Sequence, residues 1–417
     1  MDRLRVTGGK PLEGMVEVSG AKNAALPALC ACLLTAGEVR LRNVPEVRDV
    51  RTMLKVLERI GVDVEDCGGG EIRLRAERIA TPIAPYELVK TMRASVLVLG
   101  PLLARTGRAR VSLPGGCAIG ARPVDFHVDG FKRMGARVDL EHGDIHAEVD
   151  KLQGGAYRFP RPSVTGTENL MMAGVLAEGT TVLENCAREP EVVDLADLLA
   201  GMGARIRGAG TGTIRIDGVA ELGGADHRVV PDRIEAGTFL VAGALTGGTV
   251  TVRNCVPSHL ESLIQQLEAV GVRLEGGGDW IRTRPGGTLK PADMSTGPYP
   301  EFPTDLQAQY MVLMTQLNGE SMIRETIFEN RFLHAAELGR MGAEIILEGN
   351  TARVRGPTPL KGARLMATDL RASASLVLAG LVADGVTVID RIYHLDRGYA
   401  RIEEKLRRLG GKVERMK

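Results

Sequence analysis

Leu57-Glu-Arg-Ile-Gly-Val62 is the stretch of sequence that decides the fold, because the chain repeats its pattern six times. A helical segment ends in a large apolar residue, a glycine follows, and a small residue then leads into a strand. The shared glycines are Gly61, Gly135, Gly203, Gly271, Gly342 and Gly410, at spacings of 74, 68, 68, 71 and 68 residues. Glycine after the last helical turn is a common left-handed cap. Each copy therefore predicts a helix, a cap and a strand.

A second pattern alternates with the first. It is a strongly apolar helix that ends in glycine and is followed by a β-branched strand. Its copies span residues 23–37, 93–107, 167–179, 235–247, 305–319 and 370–385. A helix that is apolar all round belongs inside a domain, and alternating strands such as Gly248-Thr-Val-Thr-Val-Arg253 would cover the outside of that helical core. The sequence thus predicts an α/β fold of six units, each with two helices and about four short strands.

Six units in 417 residues divide most simply into three plus three, since the chain is too long for one ordinary core. We place the boundary near residues 226–232, where His227-Arg-Val-Val-Pro-Asp232 has loop character. The alternative is a six-unit solenoid. A solenoid would expose its terminal helices, whereas both ends of this chain resemble strands.

Composition excludes several classes of function. The chain has 53 basic and 52 acidic residues, so its net charge of +1 gives no global attraction to nucleic acid or to a membrane surface. Aromatic residues make up only 3% of the chain, which argues against stacking platforms for single strands. The N-terminus does not resemble a signal peptide, and we expect a reduced, cytoplasmic protein. Cys30 and Cys32 lie in an apolar helical run and are predicted to fill the core and not to bind zinc.

The segment Leu113-Pro-Gly-Gly-Cys-Ala-Ile-Gly-Ala-Arg122 places a cysteine among glycines, with an arginine five positions later. Its glycines let the backbone approach a ligand closely. Cysteine is usually a small buried hydrophobe, but a neighbouring arginine would favour the thiolate of Cys117. The segment therefore favours a reactive thiol without saying which reaction it serves. His127 is predicted to lie within a helix, and without a third orienting residue a Cys/His hydrolase is not favoured.

Cations recur where the apolar helices begin. A common motif, a threonine followed by Arg-Ala-Ser, occurs in Thr91-Met-Arg-Ala-Ser95 and in Thr368-Asp-Leu-Arg-Ala-Ser373. Lys22-Asn23 occupies the corresponding position in the first unit. A cation there opposes the helix dipole, at a cost of roughly 0.3–1 kcal/mol when exposed. Because the placement recurs, we interpret Lys22, Arg93 and Arg371 as anion-binding residues.

Three more arginines and one aspartate fit the same pattern. Arg122 directly precedes Pro123 in the first turn of a predicted helix, and Arg331 and Arg397 follow polar turns. A single arginine is usually a solvated surface charge, but the recurrence favours a function. Asp305 begins the apolar helix of the fifth unit, where aspartate is commonly a cap. Its equivalence to Arg371 makes a general base the competing interpretation.

Several well-known motifs are absent from the sequence. It contains no Gly-x-x-x-x-Gly-Lys-[Ser/Thr] loop, no dinucleotide-binding Gly-x-Gly-x-x-Gly after a strand and no His-Glu-x-x-His. His142 and His146 are four residues apart, but their segment indicates a turn that enters a strand. We therefore expect no metal there.

Together these motifs resemble those of the UDP-N-acetylglucosamine 1-carboxyvinyltransferases, a family of enolpyruvyl transferases. The resemblance covers essentially the whole chain, and its stretches are Gly20-Ala-Lys-Asn-Ala-Ala25, residues 113–125, Glu329-Asn-Arg-Phe332, Thr368-Asp-Leu-Arg-Ala372 and Leu395-Asp-Arg-Gly-Tyr399. It implies an inside-out α/β barrel of two similar domains, each with three repeats. The implied domains are residues 22–230, which carry the cysteine loop, and residues 1–21 with 231–417. The related shikimate-pathway transferase is expected to share the architecture but not the cysteine loop.

The resemblance also implies a reaction. The enolpyruvyl group of phosphoenolpyruvate would pass to the 3′-hydroxyl of UDP-N-acetylglucosamine with release of phosphate, the first committed step of peptidoglycan precursor synthesis. Cys117 would donate a proton and can also carry an adduct derived from phosphoenolpyruvate, while Asp305 would accept the proton of the sugar hydroxyl. The expected partners are these two small molecules, with no cofactor, metal, nucleic acid or membrane, and the oligomeric state is left open.

The implied site residues form three sets. Those for phosphoenolpyruvate are Lys22, Asn23, Arg122, Arg371 and Arg397, with Lys22 and Arg397 also catalytic. Those for UDP-N-acetylglucosamine are Arg93, Arg122, Pro123, Val124, Asp125, Phe126, Ser163, Val164, Asp305 and Ile327. Arg331 and Asp369 would support the site.

One departure from the family concerns the nucleotide-sugar contacts. Where the family often has Gly-Ala after Pro-Ser-Val, this chain has Thr165-Gly166. The exchange puts the fine contacts to the uridine diphosphate in doubt, but not the reaction. A competing interpretation is a non-catalytic relative that senses UDP-sugars. Such a protein would keep residues 122–126 but would have no use for Cys117, Asp305 and Lys22 together.

Overall fold

The computed structural model describes residues 2–90, 92–113 and 124–417, and within them the chain forms 24 strands and 13 α-helices. The strands are β1 Arg3–Thr7, β2 Glu13–Glu17, β3 Glu38–Arg42, β4 Asp63–Gly68, β5 Glu71–Arg75, β6 Ile83–Ala84, β7 Arg108–Ser112, β8 Arg137–Glu141, β9 Asp144–Glu148, β10 Ala156–Arg158, β11 Thr180–Glu184, β12 Arg205–Arg207, β13 Thr213–Asp217, β14 Ala225–Arg228, β15 Thr249–Arg253, β16 Arg273–Gly277, β17 Trp280–Arg284, β18 Met294–Ser295, β19 Gly319–Arg324, β20 Glu344–Glu348, β21 Thr351–Gly356, β22 Arg364–Met366, β23 Val386–Asp390 and β24 Lys412–Met416. The helices are α1 Lys22–Ala31, α2 Arg48–Ile60, α3 Tyr86–Val89, α4 Leu99–Thr106, α5 Asp125–Arg133, α6 Val164–Gly174, α7 Pro190–Gly201, α8 Arg233–Thr246, α9 Glu261–Val270, α10 Gln307–Thr315, α11 Leu333–Arg340, α12 Leu370–Val382 and α13 Ile402–Arg408.

The strands form six four-stranded sheets of one topology. In the sheet β6-β7-β9-β8, for example, β6 is parallel to β7, and β7 and β8 are both antiparallel to β9. The other five are β14-β3-β5-β4, β10-β11-β13-β12, β2-β15-β17-β16, β18-β19-β21-β20 and β22-β23-β1-β24. The repetition of one sheet confirms the six predicted units.

Two kinds of helix alternate along the chain, as the repeats predict. The apolar kind (α1, α4, α6, α8, α10 and α12) is largely buried, and all nine residues of α10 are buried. The amphipathic kind buries one face, as α2 does through Val50, Met53 and Leu57. The six glycines that follow the amphipathic helices all have φ between 89° and 112°. The predicted left-handed caps are therefore confirmed.

The chain divides into two compact units. The C-terminal unit contains the residues up to Ser19 and those from Pro231 to Lys417, and the N-terminal unit contains the described residues from Gly20 to Val230. In the C-terminal unit α8, α10 and α12 contact one another. In the N-terminal unit α1 and α4 both contact α6. Each unit carries three of the six sheets, so the α/β fold predicted from the repeats is confirmed.

The first strand of the chain completes the last sheet. β1 lies between β23 and β24, with Leu4 opposite both Ile389 and Arg415. In the sheet β22-β23-β1-β24, β1 occupies the position that β9 occupies in the sheet β6-β7-β9-β8. β9 is the fourth strand of its unit in sequence order. β2 likewise serves as the parallel first strand beside β15. In a solenoid each repeat contacts only its neighbours in sequence, so the pairing of β1 with β24 contradicts the solenoid alternative.

His227 and Arg228 differ from the prediction of a loop over residues 227–232. Ala225–Arg228 forms β14, parallel to β3, with His227 opposite Leu41. An edge strand of four residues carries too little alternation to be recognised in sequence. The loop is therefore shorter than expected and lies between β14 and the first residue of α8, Arg233.

Smaller predictions can be compared with the described part of the chain. Cys30 and Cys32 are fully buried, and the Cys30 Sγ lies 3.6 Å from the Met53 Sδ, as expected of core residues. His142 stands in the turn between β8 and β9 with φ of 50°. Over the described residues, no helix is both long and apolar enough to cross a membrane.

Candidate active site

Asp305 is held by two arginines in the C-terminal unit. It lies in a short 3-10 turn, Thr304–Leu306, that leads into α10. Its Oδ2 accepts hydrogen bonds from Arg371 Nε at 3.0 Å and Nη2 at 2.8 Å, and its Oδ1 accepts one from Arg331 Nη2 at 2.9 Å. The N-cap residues of this turn and of α10 are Pro303 and Leu306, so Asp305 lies in the first turn and is not the N-cap of either.

The burial of this cluster determines its electrostatics. The side chains of Arg331 and Arg371 are only 4% and 3% exposed, whereas that of Asp305 is 24% exposed. Burial alone would lower the pKa of Arg371, but the adjacent Asp305 outweighs it, and the pKa is raised. Two guanidinium groups thus balance the charge of the Asp305 carboxylate. Its partly exposed oxygens can accept a hydrogen bond from a ligand hydroxyl, which is the contact that a general base needs.

The cluster has one cation more than it has carboxylates, and Arg371 retains a donor. Nη1 of Arg371 is buried and has no hydrogen-bond partner within the described part of the chain. A buried, unsatisfied charged donor is costly, and an anionic or carbonyl group of a ligand would satisfy it. The arrangement suits the recognition of an anion beside a proton acceptor.

Tyr399 contacts Arg371 and was not among the predicted site residues. Its ring centre lies 5.4 Å from the guanidinium carbon, within the range of a cation–π contact. The Tyr399 hydroxyl lies 2.9 Å from the Thr238 hydroxyl and accepts a hydrogen bond from Gln309 Nε2 at 3.2 Å. Gln309 also donates to the carbonyl of Asp305 at 3.1 Å. Tyr399 thus links α8 and α10 to the arginine that holds Asp305.

Asp369 is the N-cap of α12. Its Oδ1 accepts from the backbone N–H groups of Arg371 at 2.9 Å and Ala372 at 3.1 Å. The cap fixes the first turn of the helix and with it the start of the Arg371 side chain. His334 lies nearby and is 1% exposed, and burial lowers its pKa to about 4. In this structure Asp369 therefore fixes the backbone from which the Arg371 side chain starts, and its supporting role in the site stays a prediction.

Ile327 and Arg397 lie in the same unit. The backbone N–H of Ile327 donates to Glu325 Oε1 at 2.8 Å, and Glu325 Oε2 accepts from the Thr304 hydroxyl at 2.8 Å. Glu325 is 3% exposed and ties the loop of Ile327 to the turn that carries Asp305. Arg397 ends the 3-10 turn Leu395–Arg397 and is partly exposed. No sequence pattern marks Glu325, because its partners come from different strands and turns.

The N-terminal unit holds the other predicted residues. Lys22 is the first residue of α1, and its Nζ lies 3.3 Å from the Asp49 carboxylate of α2. Both side chains are well buried, at 12% and 4% exposure. Asn23 follows in α1, and Arg93 begins the 3-10 turn Arg93–Val98 that precedes α4. Asp49 was not predicted, since a first-turn aspartate in an amphipathic helix is commonplace.

The segments assigned to the nucleotide sugar occupy two helix starts. Val124, Asp125 and Phe126 lie at the N-terminus of α5, where the Phe126 carbonyl accepts from the Tyr157 hydroxyl at 3.2 Å. Ser163 caps α6, and its Oγ accepts from the backbone N–H of Gly166 at 3.2 Å. Val164 is the first residue of α6. Cys117, Arg122 and Pro123 lie outside the described residues.

The structure accounts for the exchange of Gly-Ala for Thr165-Gly166. The Thr165 Oγ1 lies 3.4 Å from His127 Nε2, so its hydroxyl has a partner in α5. A Cβ at Gly166 would lie 2.8 Å from the Ser163 Oγ. Such a contact is too short, and the helix cap would have to move. Glycine at 166 therefore keeps the cap of α6 in place.

Comparison with known proteins defines the class. Residues 6–406 match the family model of EPSP synthase (3-phosphoshikimate 1-carboxyvinyltransferase). The chain is also similar to the enolpyruvyl transferase NikO from Streptomyces tendae, with 26% identity and a TM-score of 0.90 over 100% of this chain and 99% of that one. EPSP synthase from Acinetobacter baumannii shares the fold, with a TM-score of 0.77 at 20% identity over the full length of both chains. The chain belongs to the EPSP synthase family, and it is an enzyme that transfers a carboxyvinyl group.

Two relatives in this family are much more similar. The UDP-N-acetylglucosamine 1-carboxyvinyltransferase of Koribacter versatilis is 59% identical over 100% of this chain and 97% of its own length. That of Solibacter usitatus is 59% identical over the full length of both. The resemblance stated from the motifs is thereby confirmed.

Proposed function

We propose that this enzyme transfers the enolpyruvyl group of phosphoenolpyruvate to the 3′-hydroxyl of UDP-N-acetylglucosamine and releases phosphate. The observation that carries the proposal is the Asp305 cluster, in a chain 59% identical over its full length to transferases named for this acceptor. A sugar hydroxyl needs a proton acceptor before it can attack, and a partly exposed carboxylate supplies one.

The proposed residues divide the reaction into addition and elimination. The sugar oxygen bonds to the substituted carbon of the enol, its proton passes to Asp305, and Cys117 protonates the methylene carbon. In the second step the Cys117 thiolate takes a proton back from the methyl carbon, and the phosphate leaves as the double bond forms again. Cys117 also accounts for an adduct with phosphoenolpyruvate, since a thiolate can add to the same carbon.

The cations would bind the charged parts of the substrates. We assign Lys22, Asn23, Arg122, Arg371 and Arg397 to the phosphate and carboxylate of phosphoenolpyruvate, where they would stabilise charge that builds up in the tetrahedral intermediate. We assign Arg93, Arg122 with residues 123–126, Ser163, Val164, Asp305 and Ile327 to the nucleotide sugar. The free N–H of Arg371 supports this assignment.

The proposal extends to the domains and the cell. Residues 22–230 would form one three-repeat domain and residues 1–21 with 231–417 the other, close to the two compact units. The product would enter peptidoglycan precursor synthesis, and we propose that the enzyme works in the cytoplasm. No cofactor or metal takes part in the proposed steps.

Phosphate release from phosphoenolpyruvate tests the proposal. We expect release with UDP-N-acetylglucosamine and none with shikimate 3-phosphate. Turnover only with shikimate 3-phosphate would overturn the assignment and favour the activity for which the family model is named.

Cys117 offers a second test. Cys117→Ala removes the proton donor, and we expect turnover to fall by a factor of about 10² to 10⁴. Cys117→Asp should retain much more activity, because a carboxylic acid can also donate a proton. The same phosphate assay measures both variants, and full activity of the alanine variant would refute the role of the thiol.

A further inference from the structure

His127 is a buried histidine that the proposed reaction does not use. It lies in the first half of α5 and is 4% exposed. Both ring nitrogens have neighbours: Nδ1 lies 3.0 Å from the side-chain nitrogen of Asn169, and Nε2 lies 3.4 Å from the Thr165 Oγ1. Asn169 and Thr165 both belong to α6.

The hydrogen bonds of Asn169 determine which nitrogen of His127 carries the proton. Asn169 Oδ1 accepts from the backbone N–H of Gly100 at 2.7 Å, so the other end of the amide must be Nδ2. One N–H of Nδ2 donates to the carbonyl of Val96 at 2.9 Å, and the second points to His127 Nδ1. Nδ1 therefore accepts, and the proton of the neutral ring lies on Nε2, where it faces the Thr165 hydroxyl.

The ring stays neutral in the folded protein. Burial and the positive charge of Arg93 lower the pKa of His127 to about 4. A proton on Nδ1 would also face the N–H of Asn169. The amide of Asn169 cannot turn its oxygen towards His127 without losing the hydrogen bond from the Gly100 N–H. The pair has a single arrangement with every hydrogen bond made, and such networks hold their elements rigidly.

The pair joins three segments of the N-terminal unit. The first segment is the 3-10 turn that begins with Arg93 and runs directly into α4. Asn169 donates to the Val96 carbonyl of this segment and accepts from its Gly100 N–H. His127 belongs to the helix start that carries Val124 to Phe126. Thr165 belongs to the helix start capped by Ser163. Each of these segments carries residues that the proposed function assigns to UDP-N-acetylglucosamine.

We infer that the His127–Asn169 pair, with Thr165, positions the three segments that bind the nucleotide-sugar acceptor. The inference rests on the proposed function and adds positioning residues to it. The three segments come from different parts of the chain, and the amide and imidazole are a direct polar link between them. None of the three side chains needs to touch the substrate. Their loss should weaken acceptor binding and leave phosphoenolpyruvate binding unchanged.

Substitutions at His127 test the pair. His127→Leu removes both ring nitrogens, and we expect the KM for UDP-N-acetylglucosamine to rise about tenfold or more. We expect kcat and the KM for phosphoenolpyruvate to change by no more than about twofold. In His127→Asn the side-chain oxygen can take the place of Nδ1 and accept from Asn169. This variant should recover most of the loss.

Substitutions at Thr165 test the other nitrogen, and they serve if His127→Leu does not fold. Thr165→Val removes the hydroxyl at nearly constant volume, and Thr165→Ser keeps it. We expect the dissociation constant of UDP-N-acetylglucosamine, measured by calorimetry, to rise about three- to tenfold in the valine variant and to stay near wild type in the serine variant.

A purely structural effect is separated by a matched control. Ile216→Val creates a small defect in β13, at a buried residue of the same unit that has no polar contact. It should lower the melting temperature without changing either KM. If His127→Leu and Thr165→Val behave in the same way, or if kcat and both KM values change together, the inference is wrong. Failure of the unsubstituted protein to bind UDP-N-acetylglucosamine would overturn the proposed function instead, and with it this inference.

Discussion

Asp305 is the one carboxylate that compensates two buried arginines, so its removal would leave both guanidinium groups without this partner. Its carboxylate holds Arg331 and Arg371, whose side chains are 4% and 3% exposed. Breaking a buried pair by removing one partner is strongly destabilising. Loss of activity on substitution of Asp305 would therefore combine a chemical effect with a structural one. Substitutions that leave the three charges in place are more informative.

Tyr399→Phe is such a substitution. The phenylalanine ring keeps the contact with Arg371, but the hydroxyl that meets Thr238 and Gln309 is lost. We expect a destabilisation of about 1–3 kcal/mol, because buried polar groups lose their partner. We also expect kcat to fall by about three- to tenfold, since Gln309 donates to the carbonyl of Asp305. Denaturant unfolding and the phosphate assay measure the two effects.

Tyr310→Phe is the matched control for Tyr399→Phe. The Tyr310 hydroxyl is also engaged, donating to the carbonyl of Ala292 at 2.8 Å and accepting from Gln266 at 2.7 Å, but it has no contact with Arg371. It should lower stability to a similar extent and leave kcat unchanged. Equal kcat values for the two phenylalanine variants would contradict the link from Tyr399 to Asp305.

Single residues of the candidate site could be predicted from the residues themselves only where they recur at equivalent positions of the repeats. Lys22, Arg93 and Arg371 stand out because they occur at equivalent positions of different units. Tyr399, Glu325 and Asp49 have no such signal, since each contacts a partner that is distant in sequence and one such residue alone is unremarkable. The roles of the predicted residues stay predictions, and Cys117 lies outside the described residues.

At the scale of the elements, the glycine caps explain how the sequence could specify its units so clearly. A glycine with positive φ ends each amphipathic helix and starts the next strand. An L side chain at such a position is strained even where there is space for it. The caps are therefore both the repeat signal in the sequence and the physical reason for the turn.

Two glycines near the end of α11 allow the effect of backbone strain on stability to be distinguished from the effect of steric crowding. Gly339 lies within the helix and Gly342 is the cap with φ of 100°, and a Cβ at either position would meet nothing within 4 Å. Gly339→Ala should stabilise the C-terminal unit by about 0.5–1 kcal/mol, because it restricts the unfolded chain. Gly342→Ala should destabilise it by about 1–2 kcal/mol. The midpoint of denaturant unfolding should shift up in Gly339→Ala and down in Gly342→Ala. Equal shifts in the two variants would contradict the prediction.

The order of strands within the sheets could not be read from the local sequence. β1 and β24 read alike as short alternating strands, and nothing in either specifies a partner more than 400 residues away. The last two residues of β14, His227 and Arg228, were expected to belong to a loop for a related reason, because a short edge strand has no pattern of its own. Pairing depends on the assembled helical core, which only the whole unit provides.

For the whole molecule, two buried histidines predict how stability depends on pH. His127 in the N-terminal unit and His334 in the C-terminal unit both have a pKa of about 4 in the folded protein, against 6.5 when unperturbed. Folding therefore favours the neutral ring. The stability that each provides is complete above pH 6.5 and is lost as the pH falls towards 4, by up to roughly 3 kcal/mol per histidine.

Comparison with variants isolates this contribution, because other groups titrate in the same range. Burial and nearby carboxylates raise the pKa of Glu168, for example, so its contribution has the opposite sign. His127→Asn and His334→Asn remove one titrating group each. The wild type should exceed each variant in melting temperature by less at pH 5 than at pH 7.5. A difference that does not depend on pH would contradict the prediction.

The pairing of β1 with β23 and β24 sets an order of events during synthesis. A ribosome releases β1 and β2 first, but β15 begins at Thr249 and β23 at Val386, so both early strands must wait for partners made much later. The N-terminal unit has all its strands between Glu38 and Arg228 and can be complete while they wait. The last sheet of the C-terminal unit closes only after β24 has been made. Since Arg3 lies opposite Met416, a short peptide linker could join the two ends and place β1 directly after β24, as in a unit of unbroken sequence.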